Sequence, residues 1–144
     1  MTTVQVDQTR IERDLLGAKE VPMDCYYGIH TLRALENFQI SNQKVGTQLH
    51  FIRALAQVKK ASAQSNCKFG KISPEIAQAI DIACDQLIQT PESWTHAFPL
   101  DVYQGGAGTS INMNTNEVLA NLALEHLSLP KGKYDVIHPN DHVN

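Results

Sequence analysis

The sequence has little that is typical of membrane or nucleic-acid-binding proteins. Its 144 residues contain no apolar run close to the roughly 20 residues that a membrane-spanning helix needs. Lys and Arg number 12 against 15 Asp and Glu, a net charge of −3 without basic clusters, which argues against a nucleic-acid partner. No apolar signal-peptide core occurs in MTTVQVDQTRIERDLLG, so a cytoplasmic location is expected.

Cysteine is scarce and unpaired in the sequence. Cys25, Cys67 and Cys84 are widely spaced and form neither a CxxC pair nor a Cys/His zinc pattern. They are interpreted as thiols of a reducing compartment that pack as small hydrophobic side chains. The six histidines show no HxH or HExxH spacing, so no metal site is expected.

The apolar content, 42% of residues, is enough for a core. The length suits a single domain, 1–144, which would bury roughly 70% of its unfolded surface. Residues 1–10 are polar and are expected to be disordered. Residues 11–24 carry Gly17 and Pro22 between short apolar pieces, which predicts extended segments and a turn that could form a small hairpin.

Helical periodicity dominates the rest of the chain. A short helix is expected over residues 30–37 and longer ones over about 47–67, 73–89 and 110–127. Ser73, Pro74 and Glu75 are typical of a helix start, since Ser caps, Pro tolerates the first position and Glu suits the positive end. The predicted fold class is mainly α, with a short extended or hairpin segment near the N-terminus.

Two features of these helices carry further expectations. In the helix over 47–67, apolar residues recur every third position, and this pattern places Lys59 and Lys60 on the opposite face. The helix over 110–127 is apolar nearly all round in its second half, so it is expected to be buried on several sides. Without a partner domain it would expose an apolar patch and could associate.

One stretch, VYQGGAGTSINMNTN over residues 102–116, combines the signals of a binding site. It has no charged side chain and is dense in uncharged hydrogen-bonding groups. Its glycines Gly105, Gly106 and Gly108 let the backbone curl before the expected helix start at Thr109 or Ser110. A helix N-terminus offers unpaired N–H groups and the positive end of the helix dipole, which together favour an anionic oxygen.

The residues alone leave alternatives open at this stretch. The simplest is an ordinary capped helix in which Thr109 or Ser110 is the cap. A phosphate P-loop is excluded because no GK[ST] follows, and a dinucleotide site is excluded because no βαβ pattern surrounds the glycines. Asn is a poor helix former, so four Asn residues in one buried helix either serve binding or tie neighbouring loops together.

The stretch DVYQGGAGTSINMNTNEVLAN resembles the first signature region of the aspartase/fumarase superfamily. IERDLLGAKEVPMDCYYGIHTLRALENF and the terminal HPNDHVN are similar to the same N-terminal region, so the resemblance runs from Ile11 to Asn144. Class II fumarases usually read closer to GSGTQSNMN. The GGAGTSINMNTNEV of this chain therefore favours the aspartase branch over the fumarase branch.

The resemblance implies a reversible elimination that converts L-aspartate to fumarate and ammonium, with no cofactor. The family removes a weakly acidic proton beside a carboxylate, so oriented donors must stabilise the resulting dianion. By this correspondence Thr109 contacts substrate, with Gly108 and Ala107 beside it. Ser110 and Asn112 are secondary substrate-binding candidates.

HPNDHVN resembles a second family region. In fumarases, His138, Asn140 and Asp141 would correspond to an accessory anion site outside the active centre. The fumarase pattern has an arginine three residues before the histidine, where this chain has Asp135, which would repel an anion. The alternative, and the one we favour, is a turn at Pro139.

Several family motifs do not occur in the sequence. The family's catalytic serine lies on a GSSxMPxKxN loop, and a QS[ST]ND segment normally follows HVN; neither occurs in these 144 residues. No catalytic residue is therefore assigned. The hypothesis is an N-terminal domain, truncated before the central helical bundle of a homotetramer and inactive alone. Its rivals are a fragment of a fumarase or another superfamily lyase, and a non-catalytic anion-binding module.

Overall fold

The computed structural model describes residues 8–144, and its elements follow the predicted order. Strands β1 and β2 span Thr9–Asp14 and Gly17–Pro22. Helices α1 to α4 span Ile29–Asn37, Leu49–Lys68, Pro74–Gln89 and Thr109–His126. Short 3₁₀ turns occupy Val45–Thr47 and Pro91–Ala97, and a π-helical turn covers Pro139–Val143. The mainly α fold with an N-terminal hairpin is confirmed.

The hairpin begins earlier than the composition indicates. β1 and β2 pair antiparallel from Thr9 opposite Pro22 to Asp14 opposite Gly17, so Thr9 and Arg10 are ordered rather than disordered. The reason is the Arg10 guanidinium, which is buried and donates to the carbonyls of Pro22 (2.7 Å), Cys25 (2.9 Å) and Tyr27 (2.7 Å). The disorder predicted for residues 1–7 lies outside the described residues.

The helices pack around α4. α3 lies between α2 and α4, while α1 and the π-helical turn contact other sides of α4. Twelve consecutive residues of α4, Met113 to Leu124, are buried. Burial on several sides is confirmed, but the expected exposed patch is wrong for this helix. The described residues of the chain cover it themselves.

Ser73 caps α3 as predicted. Its hydroxyl accepts from the Ile76 N–H at 3.2 Å, and Pro74 occupies the first helical turn. The position of Lys59 on α2 is the main error of the helix predictions, because this side chain is only 7% exposed while Val58 is 61% exposed. An α-helix turns about 100° per residue, so a pattern repeating every third residue has drifted by about 180° after nine residues. The buried face instead follows Ile52, Ala56, Lys59 and Ala63.

The start of α1 is capped by carboxylates from other elements. Glu117 of α4 is buried and accepts from the N–H groups of Gly28 (2.8 Å) and His30 (2.8 Å) and from the Thr31 hydroxyl (2.6 Å). Glu12 of β1 accepts from the Ile29 N–H at 2.8 Å. Burial raises the pKa of Glu117, against the opposing effect of these donors. Because α1 has no capping side chain of its own, these two carboxylates fix its position.

None of the helices in residues 8–144 has the length and apolar character that crossing a membrane requires.

We predict that Gly28→Ala destabilises the fold. A Cβ atom there would lie 2.5 Å from Glu12 Oε2 and 2.6 Å from the Tyr134 hydroxyl oxygen, too close for either to remain in place. Overpacking of this kind lowers the free energy of unfolding by about 2 kcal/mol, measurable by urea denaturation. Gly105→Ala is the control, since its Cβ would meet the Phe38 ring at an ordinary 3.5 Å. Equal stability of the two variants would contradict the close packing at Gly28.

Candidate functional site

Asp101 anchors the backbone before the Gly-rich loop, residues 105–108. This fully buried carboxylate accepts from the N–H groups of Ile40 (3.2 Å) and Tyr103 (2.9 Å) and from the hydroxyl of Ser41 (3.0 Å). It also accepts from the Ser41 N–H. Burial alone would raise the pKa of Asp101, but these hydrogen bonds outweigh it and hold the pKa below its usual range. The loop therefore starts from a fixed point.

Left-handed glycines shape the loop itself. Gly106 has a φ of 72° and Gly108 a φ of 81°, in the region where a Cβ atom is strained. Gly108 is the N-cap residue of α4, and its carbonyl accepts the Asn112 N–H at 3.1 Å. The capped-helix alternative with Thr109 or Ser110 as the cap is therefore wrong. Thr109 is already helical, and the cap residue offers no side chain.

The first N–H groups of α4 are partly free to bind. The Gln104 side chain accepts from the Ile111 N–H at 3.2 Å and so serves as a distant cap. Among the described residues, the N–H groups of Thr109 and Ser110 have no hydrogen-bond acceptor. Ala107 and Thr109 are exposed, and Gly108 and Ser110 are half-buried. The four predicted contact residues thus lie together at the surface, with two unpaired donors at the positive end of a helix.

Asn112 lies one turn further along and is engaged within the protein. Its Oδ1 accepts from Lys59 Nζ at 2.8 Å, and its Nδ2 donates to Asn144 Oδ1 at 3.0 Å. Asn144 Oδ1 also accepts from Lys59 Nζ (3.1 Å) and from Asn116 Nδ2 (3.3 Å). Lys59 is the residue near this site that the sequence did not indicate. A count of 100° per residue from Ile52 would have placed it on the buried face.

The remaining Asn side chains of α4 tie loops to the helix. Asn114 donates to the Ala97 carbonyl at 2.9 Å, and Asn121 donates to the Tyr26 carbonyl at 2.7 Å while accepting from the Gly132 N–H at 2.8 Å. The loop-tying alternative therefore holds for these two residues.

HPNDHVN forms the turn that the sequence favours. His138 is the N-cap residue of the π-helical turn, and its Nδ1 accepts from the Asn140 N–H at 3.1 Å. His142 Nδ1 accepts from the His138 N–H at 2.8 Å. Asn140 and Asp141 are exposed, and Asp135 pairs with Lys133 at 3.0 Å. His138 and Asn140 thus also serve the turn, and the accessory anion site at His138, Asn140 and Asp141 stays a prediction.

The thiols and histidines do not assemble into a further centre. Cys25, Cys67 and Cys84 are free thiols, and burial raises the pKa of Cys84 to about 12. In residues 8–144 there is no group of three His, Cys, Asp or Glu side chains arranged to hold a metal ion.

The fold and the loop are those of a family of lyases. The chain belongs to this family, because the family model described as lyase (Lyase_1) matches residues 17–144.

Among individual relatives, the chain is similar to aspartate ammonia-lyase of Escherichia coli K12, with 55% identity over 135 residues. It is also 53% identical over 143 residues to aspartate ammonia-lyase of Corynebacterium glutamicum. These alignments cover 94% and 99% of this chain. The chain spans 28% and 27% of the length of these relatives.

Solved structures give the same assignment. A structure of fumarate lyase:delta crystallin from Brucella melitensis matches 95% of this chain with a TM-score of 0.92 and 51% identity, over 31% of its own length. Class II fumarase from Schistosoma mansoni matches 95% of this chain with a TM-score of 0.81 and 37% identity, over 28% of its length.

Asp101→Asn is predicted to lower stability at neutral pH and to weaken its acid dependence. Because the folded-state pKa is depressed, the ionised carboxylate stabilises the fold above its unfolded pKa of about 3.9, and that stabilisation is lost as pH falls through the folded pKa. Melting temperatures between pH 2.5 and 7 should therefore fall less steeply below pH 4 in the variant.

Asp135→Asn provides the control, since this carboxylate is exposed and pairs with the exposed Lys133. Its melting temperature at pH 7 should stay near that of the wild type. If the melting temperature of Asp101→Asn falls below pH 4 as steeply as that of the wild type, Asp101 does not anchor the loop.

Proposed function

We propose that this chain is the substrate-carboxylate-binding part of an aspartate ammonia-lyase, which reversibly eliminates ammonium from L-aspartate to give fumarate. The observation that carries the proposal is that the N–H groups of Thr109 and Ser110 have no acceptor among the described residues. They lie at the start of a rigid helix that follows an uncharged loop. The similarity to aspartate ammonia-lyases at 55% identity, against 37% for a class II fumarase, supports an aspartate ammonia-lyase rather than a fumarase.

The chemistry requires donors at the substrate carboxylate. Removing a proton from the adjacent carbon places a second negative charge on the carboxylate, and fixed hydrogen-bond donors stabilise this charge without reorganising. In the proposal the N–H groups of Thr109 and Ser110 and the Thr109 hydroxyl act as such donors, with Ala107 and Gly108 shaping the approach. Asn112 holds the first turn of α4 in place through its hydrogen bonds with Lys59 and Asn144.

The proposal extends to the whole protein. The active enzyme is a cytoplasmic homotetramer whose catalytic serine lies outside the sequence described here, since these 144 residues contain no GSSxMPxKxN motif. The rival function is a non-catalytic anion-binding module, which would use the same loop without elimination.

Binding of a dicarboxylate at the loop is the first test. Succinate, added to ¹⁵N-labelled protein, should produce saturable amide shifts centred on Thr109 and Ser110. Thr109→Val removes one donor to a charged group and should raise the Kd about fivefold. Thr95→Val, an exposed threonine on the 3₁₀ turn, is the matched control and should leave the Kd unchanged. Saturation without shifts at the loop would refute the assigned site.

Turnover separates the lyase from the binding module. We expect no fumarate absorbance when the purified chain is incubated with L-aspartate, because no general base contacts the loop among residues 8–144. Activity should appear only when the longer protein supplies the catalytic serine. Fumarate formation above background by these 144 residues alone would refute this division of roles. A longer protein that binds succinate but forms no fumarate from L-aspartate would favour the non-catalytic binding module.

A further inference from the structure

Lys59 is a buried cation without a counter-charge among the described residues. Its side chain is 7% exposed, and Nζ donates to two neutral amide oxygens, Asn112 Oδ1 at 2.8 Å and Asn144 Oδ1 at 3.1 Å. No carboxylate of residues 8–144 forms an ion pair with it. The adjacent Lys60 is the opposite case, since it pairs with Asp85 at 2.6 Å and Asp81 at 3.2 Å.

This arrangement is unfavourable for the protein on its own. Burying an ammonium group without an opposite charge is expensive, and burial accordingly lowers the pKa of Lys59. The charge also lies near the N-terminal turn of α4, whose dipole is already positive there. Two locally unfavourable choices at one place are expected where binding of a negative ligand compensates for them.

The geometry directs the charge toward the loop. Asn112 follows Thr109 by three residues, which places it on the same side of α4 and about 4.5 Å further along the axis. Lys59 therefore lies about one helical turn behind the free N–H groups. The amide oxygens fix the ammonium without neutralising it, so its field reaches the loop.

We propose that Lys59 is a positioning residue of the anion site, whose fixed charge strengthens dicarboxylate binding at Thr109 and Ser110 without touching the ligand. The inference rests on the proposed function of the loop. It assigns to α2 a role in that site, and it explains why a lysine lies among the apolar residues on the buried face of that helix.

The test compares Lys59→Met with Lys60→Met, which removes the same charge one residue away. The probes are succinate, with two carboxylates, and succinamate, with one. Lys59→Met should raise the Kd for succinate about tenfold, as expected for the loss of one charge at about 10 Å in partly screened surroundings. The rise in the Kd for succinamate should be clearly smaller. Lys60→Met should change either Kd less than twofold.

Melting temperature distinguishes this role from a structural one. Replacing an uncompensated buried charge with an apolar side chain is often neutral or stabilising, so Lys59→Met should melt no lower than the wild type. If Lys59→Met does not fold, Lys59→Gln takes its place in the comparison of Kd values, because it removes the charge and keeps a hydrogen-bond donor. If both variants fail to fold, Lys59 is needed for the fold itself and the inference is overturned.

The remaining outcomes are equally decisive. Equal Kd values for Lys59→Met and the wild type, or equal losses for succinate and succinamate, would overturn the role of the charge while leaving the proposed function intact. A wild-type chain that binds neither probe at the loop would overturn the proposed function and this inference together.

Discussion

The burial of α4 on every side is the constraint on which the rest of the structure depends. Polar side chains within its buried stretch are shielded from water and bond to other parts of the protein, although Asn114 Oδ1 and Asn116 Oδ1 have no partner among residues 8–144. Glu117 accepts from an N–H group at the start of α1, and Asn114 donates to the Ala97 carbonyl. Asn121 donates to the Tyr26 carbonyl and accepts from the Gly132 N–H. One helix thereby fixes the segment that leads into α1, the 3₁₀ turn at Ala97 and the turn after its own C-terminus. Its own N-terminus is fixed in return, which is what a preorganised anion site requires.

The negative and positive charges near α4 lie at different distances from the loop. Glu117 lies eight residues beyond Thr109, about 12 Å along the axis, and its carboxylate is committed to the N–H groups of α1. It therefore opposes an anion at the loop only weakly. Lys59 lies nearer, beside Asn112, and is not neutralised by any carboxylate of the described residues. The end of α4 that faces the loop is consequently positive although the chain as a whole is acidic.

The sequence predicted the elements whose signals are local and missed those that depend on distant partners. Ser73 and Pro74 define the start of α3 because capping is a property of neighbouring residues. Arg10 carries no local sign of burial, since the backbone carbonyls that accept its hydrogen bonds lie 12 to 17 residues away. Glu117 is similar, because its role depends on a helix start nearly 90 residues earlier. The start of α4 after the Gly-rich loop is predictable because glycines before a helix are a local pattern. Lys59 is misplaced because the prediction uses a periodicity of three instead of 3.6.

The loop contains donors but no partner that would activate a nucleophile or accept a proton. A hydroxyl becomes a base or nucleophile only beside a group that takes its proton. Among the hydrogen bonds of residues 8–144, neither the Thr109 nor the Ser110 hydroxyl contacts a carboxylate or an imidazole. These hydroxyls can donate to a ligand oxygen, and the glycines keep the approach open. In the proposed lyase, this helix N-terminus binds the substrate carboxylate and stabilises its charge, while a separate element abstracts the proton. Under that proposal, the Thr109 and Ser110 hydroxyls need no proton-accepting partner of their own, and none contacts them among residues 8–144.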